Sequence, residues 1–282
     1  MSAPLQNVTQ ACFGLSYLVA FGLELARLRW PGAGVRYVGL AFGAAGLLAQ
    51  SAFLAFHQPT PATPYGALLA VAWVLAVFYL YGTVHHAKQA WAVFVLPVVL
   101  GLIGLASTVA DPTTASELAV PPWMAGDRFW GAVHGILLLL AAVGISVGFL
   151  ASVMYLVQAD RLRRKRNPLG GVKLLSLERL EAMNRRAVNA AFPLLTLGLL
   201  LGAVLLKQYH DIADNWFSVK VLGTVGLWVV FVVLLYLRYA AHVPGRRLAF
   251  LTIVAFGLVV VVLASAHPFA QAAVSAGSGG QP

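Results

Sequence analysis

Charge is what this sequence has least of. Only 10% of its 282 residues are Asp, Glu, Lys or Arg and 60% are hydrophobic, whereas a water-soluble domain carries about a quarter charged residues. The chain reads as an integral membrane protein. Period-two alternation with turn signals is absent, which excludes an outer-membrane barrel. Cysteine occurs once, as Cys12, so there is no internal disulfide, no CxxC redox pair and no Cys-based metal site. Acids are almost missing from the apolar runs: Glu24 falls near one end of the first, and every other Asp and Glu is expected in a loop. A carboxylate proton relay or an ion-coupled transporter needs more than that. A Gly-rich phosphate loop, a HExxH helix and a Ser/His/Asp arrangement are also lacking.

What is present is a series of hydrophobic runs, each near the roughly 20 residues that cross a bilayer as a helix. The expected fold is an all-α polytopic bundle of about eight transmembrane helices. The spans fall near residues 8–26, 37–56, 67–84, 90–110, 130–157, 187–206, 221–240 and 248–266. The opening "MSAPLQNVTQ" has no basic n-region, so the first helix is expected to stay in the mature protein rather than leave as a signal peptide.

Lys and Arg settle the expected orientation. Arg27, Arg29, Arg36, Lys88, the nine basic residues from Arg161 to Arg186, Arg238, Arg246 and Arg247 fall in alternate loops, and only Arg128, Lys207 and Lys220 fall on the other side. The positive-inside rule then places both termini outside and the basic loops in the cytoplasm, with the chain multi-pass in a bacterial inner (cytoplasmic) membrane. The net charge of +10 belongs to short juxtamembrane loops, chiefly "DRLRRKRNPLGGVK", and points to anionic lipid headgroups rather than nucleic acid.

The chain divides into an N-terminal membrane half, residues 1–129, and a C-terminal half, residues 130–282, each of about four helices. A cytoplasmic loop at 158–186 holds the turn "NPLGG". It also holds a short amphipathic helix, "SLERLEAMNRR", opened by Ser176, lying at the interface and running into the sixth span. The outer loop "DPTTASELAVPPWMAGDRFW" places Trp123 and Trp130 to anchor at headgroup level. The tail at 271–282 has a disordered composition.

Histidine is the remaining chemistry. His57, His134, His210 and His267 map to the outer side, and His85, His86 and His242 to the inner side. His134 is about one turn inside the fifth span and His267 closes the eighth, so on neighbouring helices the two imidazoles reach similar depth. Two neutral imidazoles can ligate a haem iron from opposite faces. The plain alternative is that each snorkels or hydrogen-bonds at the headgroups.

Several stretches carry a family resemblance, in order, from Phe129 to His267. "FWGAVHGILLLLA" is similar to a W-x-x-x-H stretch entering a helix. "SLERLEAMNRRAVNAAFPLLTLGLLLGAV" is similar to a P-S-L-E-x-L-D…G-F-P-L-L-T-L-G-L-x-x-G-A segment, and "LRYAAHVPGRRLAFLTIVAFG" precedes His267-Pro-Phe where H-S-Y or H-S-F is expected. These resemble the membrane core of the cytochrome c assembly protein family, the CcsA-type haem-handling proteins and their HemX-like relatives. The first four spans match it in number and hydrophobicity only.

The resemblance implies haem b at an outer-face site, with His134 and His267 as axial ligands. Trp216 and Phe217 stand where the family has its tryptophan-rich outer loop; here "DNWFSVKVLGTVGLW" keeps Lys220 and Trp228 but lacks the Asp, Pro and Glu of that motif. Trp216 and Phe217 are either an aromatic platform for the porphyrin or members of the outer aromatic belt, and Trp130 stands beside them as a candidate contact. Lys220, Lys207 and Arg128 are candidate partners of the haem propionates. Tyr236 occupies the position where the family often has a histidine for a second haem, so at most one is expected. The function so implied is binding or handing over haem in cytochrome c biogenesis, with other assembly membrane proteins as partners and ligands and orientation rather than bond chemistry as the contribution. The alternative is a HemX-like accessory subunit with no haem transfer of its own.

Overall fold

A computed structural model of the chain describes residues 9–30, 32–59, 63–85, 91–109, 128–164, 175–208, 219–241 and 243–265. These form eight α-helices: α1 (Gln10–Arg29), α2 (Ala33–His57), α3 (Pro64–His85), α4 (Trp91–Val109), α5 (Arg128–Arg164), α6 (Leu177–Gln208), α7 (Val219–Tyr239) and α8 (Gly245–Ala264). All eight are long and apolar enough to cross a membrane, and no strand occurs among the described residues. The expected all-α, polytopic membrane fold is the observed one.

Local chemistry sets several boundaries. Thr63 caps α3 by accepting the Gly66 amide at 3.1 Å, with Pro64 at the first helical position where its missing N–H is harmless. Ser176 accepts from the Arg179 amide at 3.4 Å at the start of α6. The α7–α8 turn is closed by Ala240 and Ala241 amides donating to the Tyr236 carbonyl, and Pro244 starts α8.

Two helices depart from expectation. At 37 and 32 residues, α5 and α6 are about 55 and 48 Å long, well beyond the roughly 30 Å of a hydrocarbon core. Helix therefore runs into both ends of the segment 158–186. The stretch "SLERLEAMNRR" is helical and runs into the sixth span as expected; it is the first turns of α6, with Leu180 and Asn184 buried. Its buried face is tied to α5 through Asn184, which donates to the Gly148 carbonyl and to Ser152 Oγ. Asp160, Glu178 and Glu181 are consequently helical, not loop residues, and Asp160 pairs with Arg164 at 2.9 Å in an exposed i,i+4 bridge.

Packing relies on small residues. A Cβ at Gly144 would lie 3.0 Å from the Ala191 Cβ, and one at Gly148 would lie 3.3 Å from Thr252 and 3.7 Å from Ala187. Between apolar helices in lipid, such close approach of backbones supplies much of the association energy. In the N-terminal helices, Gly43 and Gly46 of α2 make room for two fully buried rings, Tyr79 of α3 and Tyr17 of α1. The Tyr17 hydroxyl donates to Gln50 Oε1 at 2.8 Å, and Gln50 Nε2 donates to the Leu69 carbonyl at 3.2 Å, tying α1, α2 and α3. Helices α3 and α4 also pack on α5 and α8, which joins the two halves of the chain.

The one acid expected inside a span, Glu24, is buried and held 3.2 Å from Arg27 one turn on. That pairing is what makes a carboxylate tolerable there. It sits on α1 with Arg29 and near the start of α2 with Arg36; these, the ends of α3, α5 and α7 and the starts of α6 and α8 form the basic end of the bundle.

Candidate functional site

His134 lies near the start of α5, at the opposite end from the basic residues. Its ring rests on α6: Nδ1 is 2.8 Å from the Gly198 carbonyl oxygen, and a Cβ at Gly202 would lie 2.7 Å from Cε1 and 3.2 Å from Nδ1 of the imidazole. Gly198 in turn makes room for Leu138, whose Cδ2 would be 2.7 Å from a Cβ there. Thus His134 and Leu138, four apart on α5, seat on Gly198 and Gly202, four apart on α6, because i and i+4 share a helix face.

With Nδ1 donating to a carbonyl, a neutral imidazole carries its lone pair on Nε2. This is the arrangement in which a metal-ligating histidine is held and made more basic by the group on its other nitrogen. A histidine held in this way has the tautomer that a haem iron would need at Nε2. Trp130, one turn earlier, is 52% exposed and packs edge-to-face on Phe129 at 5.2 Å between ring centroids.

The other candidates are placed less completely. Gly148 of α5 packs on Thr252 of α8, and from that contact both His134 and the end of α8 at Ala264 lie toward the end of the bundle opposite the basic residues. His267 follows two residues later and lies outside the described residues, as do Trp216, Phe217, His86, His210, His242 and the tail at 271–282. Lys220 is in the first turn of α7, which approaches the last turn of α8 where a Cβ at Gly223 would lie 2.7 Å from Val262. His57 and His85 meet rings of their own helices: His57 stacks on Phe53, and His85 stacks on Tyr81 and lies 3.0 Å from its carbonyl. No group of three His, Cys, Asp or Glu that could hold a metal occurs among the described residues.

Trp228 stacks near Phe192, with centroids 6.1 Å apart, and donates to the Thr196 hydroxyl at 3.0 Å. Tyr236 is 64% exposed on α7. The seat made by Gly198 and Gly202 was not anticipated; its signal was the match between H-x-x-x-L on one span and G-x-x-x-G on another.

Residues 62–265, covering α3 to α8, match the model of the Cytochrome C assembly protein family. This chain belongs to that family. The match begins well before Phe129, so α3 and α4 share the family pattern and not only its number of spans. Cytochrome c biogenesis proteins CcsA from Synechococcus sp. (strain JA-2-3B'a(2-13)) and Guillardia theta are each 24% identical, over 70% of this chain and 71% and 69% of their own lengths. The protein of the same name from Gloeobacter violaceus is 22% identical over 91% of this chain and 89% of its own. No solved structure matches.

Proposed function

We propose that this family member acts in cytochrome c biogenesis by binding or handing over haem b at the outer face of a bacterial cytoplasmic membrane. The family match supports the biogenesis role, and the CcsA names of the relatives do not favour the HemX-like accessory reading. The observation that carries the haem reading is the imidazole of His134, fixed by a backbone carbonyl at the non-basic end of the bundle.

In this reading His134 and His267 would hold the haem iron, Trp216, Phe217 and Trp130 would pack against the porphyrin, and Lys220 would pair with a propionate. Haem supplies the redox chemistry when bound; the chain binds, orients and releases it. The basic end faces the cytoplasm and anionic lipids, both termini face outward, and other assembly membrane proteins supply the apocytochrome.

The experiment is a Soret band in the purified protein, measured against a variant with His134 and His267 both replaced by Ala. Loss of the band in the variant is expected. A wild-type protein with no haem after purification from haem-replete cells, or a band that survives both replacements, overturns the reading.

A further inference from the structure

We infer that Gly198 and Gly202 are positioning residues for His134, a seat made of α6 backbone that fixes the imidazole as its Nδ1-protonated tautomer. The inference rests on the proposed haem site only for what Nε2 is used for; the seat itself stands on geometry. Two independent features make it. Gly198 presents its carbonyl to Nδ1 at 2.8 Å, a distance in the middle of the hydrogen-bonding range. Gly202 leaves open the volume the ring fills, since a Cβ there would come within 2.7 Å of Cε1.

The two act together. A ring lifted from Gly202 by an added methyl moves away from the Gly198 carbonyl, because both lie on one α6 face a single turn apart. The Nδ1–H···O bond to that carbonyl is then lengthened or lost. The need for glycine is particular to the seat: at Gly135, beside His134 on α5, an added Cβ would meet nothing within 4 Å. A histidine whose Nδ1–H is held by a carbonyl is also a stronger donor to iron through Nε2. The same seat therefore favours the ferric state, and its loss shifts the midpoint potential of any bound haem upward.

The test uses the full chain, with Gly202→Ala, His134→Ala, the double variant, and Gly135→Ala as the control. Nitrogen-15 NMR of histidine-labelled, haem-free protein, with the His134 signal assigned by its loss in His134→Ala, is expected to show the Nδ1-protonated tautomer. That signature is retained in Gly135→Ala and lost or shifted in Gly202→Ala. Thermal unfolding supplies a readout that survives poor yield: Gly202→Ala lowers the midpoint when His134 is present and much less in the His134→Ala background. In haem-loaded protein Gly202→Ala raises the midpoint potential or lowers haem content, and Gly135→Ala does neither. An Nε2-protonated His134, or an unchanged His134 signal together with no destabilisation in Gly202→Ala, overturns the seat. If no variant and not even the wild type holds haem, the haem reading fails while the NMR and unfolding results still decide the seat.

Discussion

Arg238 of α7 donates through Nη2 to the side-chain carbonyl of Asn184 on α6. The Asn184 amide nitrogen, on its other side, lies 3.0 Å from the Gly148 carbonyl, 2.8 Å from Ser152 Oγ and 3.2 Å from Thr252 Oγ1. One carboxamide therefore joins α5, α6, α7 and α8, and it lets a partly buried guanidinium end at a hydrogen-bond acceptor. This hub is at the basic end, while His134 is at the other end of the same two helices, α5 and α6.

Replacing Asn184 with Leu keeps the volume and removes every one of these bonds, leaving Arg238 without that acceptor. The expected loss is about 1–3 kcal/mol, the cost of an unsatisfied buried polar group. Ser152→Ala, which leaves the amide two other acceptors, is expected to lose about 0.6 kcal/mol, typical of a single interhelical hydrogen bond in a membrane protein. Thermal unfolding in one detergent checks both. Equal effects would mean that the bonds to Asn184 do not act as a hub.

Topology is tested by reporter fusions. Fusions after Arg166 and after Gly245 are expected to read cytoplasmic, and those after Asp111 and after Gly277 external, following the distribution of Lys and Arg. The reversed pattern would put His134 on the cytoplasmic side and remove the basis for an outer haem site.

Much of this architecture was legible because a bilayer imposes length and composition on each span. Eight runs became eight helices, and Ser176 marks the start of α6 as its position beside "LERLEAM" suggested. What escaped the sequence was partnership. Asn184 looks like an ordinary polar residue of an amphipathic stripe until Gly148, Ser152 and Thr252 are brought beside it from two other helices. The extent of α5 and α6 escaped because their polar ends continue as helix, whereas composition alone assigns them to a loop. At the candidate site, the expected depth of His134 and His267 suggested pairing them, and the family resemblance supported it. The glycines beneath the His134 ring were not legible, because a glycine's role lies in what occupies the space it leaves.

The aromatic pair before α7 gives a further prediction. If Trp216 and Phe217 form a platform, replacing both with Ala removes stacking and apolar burial worth roughly 1–3 kcal/mol. Haem retention should then weaken about tenfold to a hundredfold, measured by haem transfer to an apo-myoglobin acceptor. Unchanged retention would assign both residues to the aromatic belt instead.

The number of haems follows from α7. A second haem, within the bilayer, needs a ligand where Tyr236 stands, and a phenolate there would need a compensating positive charge. Tyr236 is 64% exposed on the outside of the bundle, and the nearest cation along α7, Arg238, lies in the last turn of the helix, at the basic end of the bundle. An outward-facing tyrosine on a helix with no cation at mid-depth is poorly placed to hold iron. Pyridine haemochrome analysis is therefore expected to give at most one haem per chain, with a low-spin bis-histidine spectrum that is unchanged in Tyr236→Phe. Two haems per chain, or loss of a haem in Tyr236→Phe, would show that the inner position is used after all.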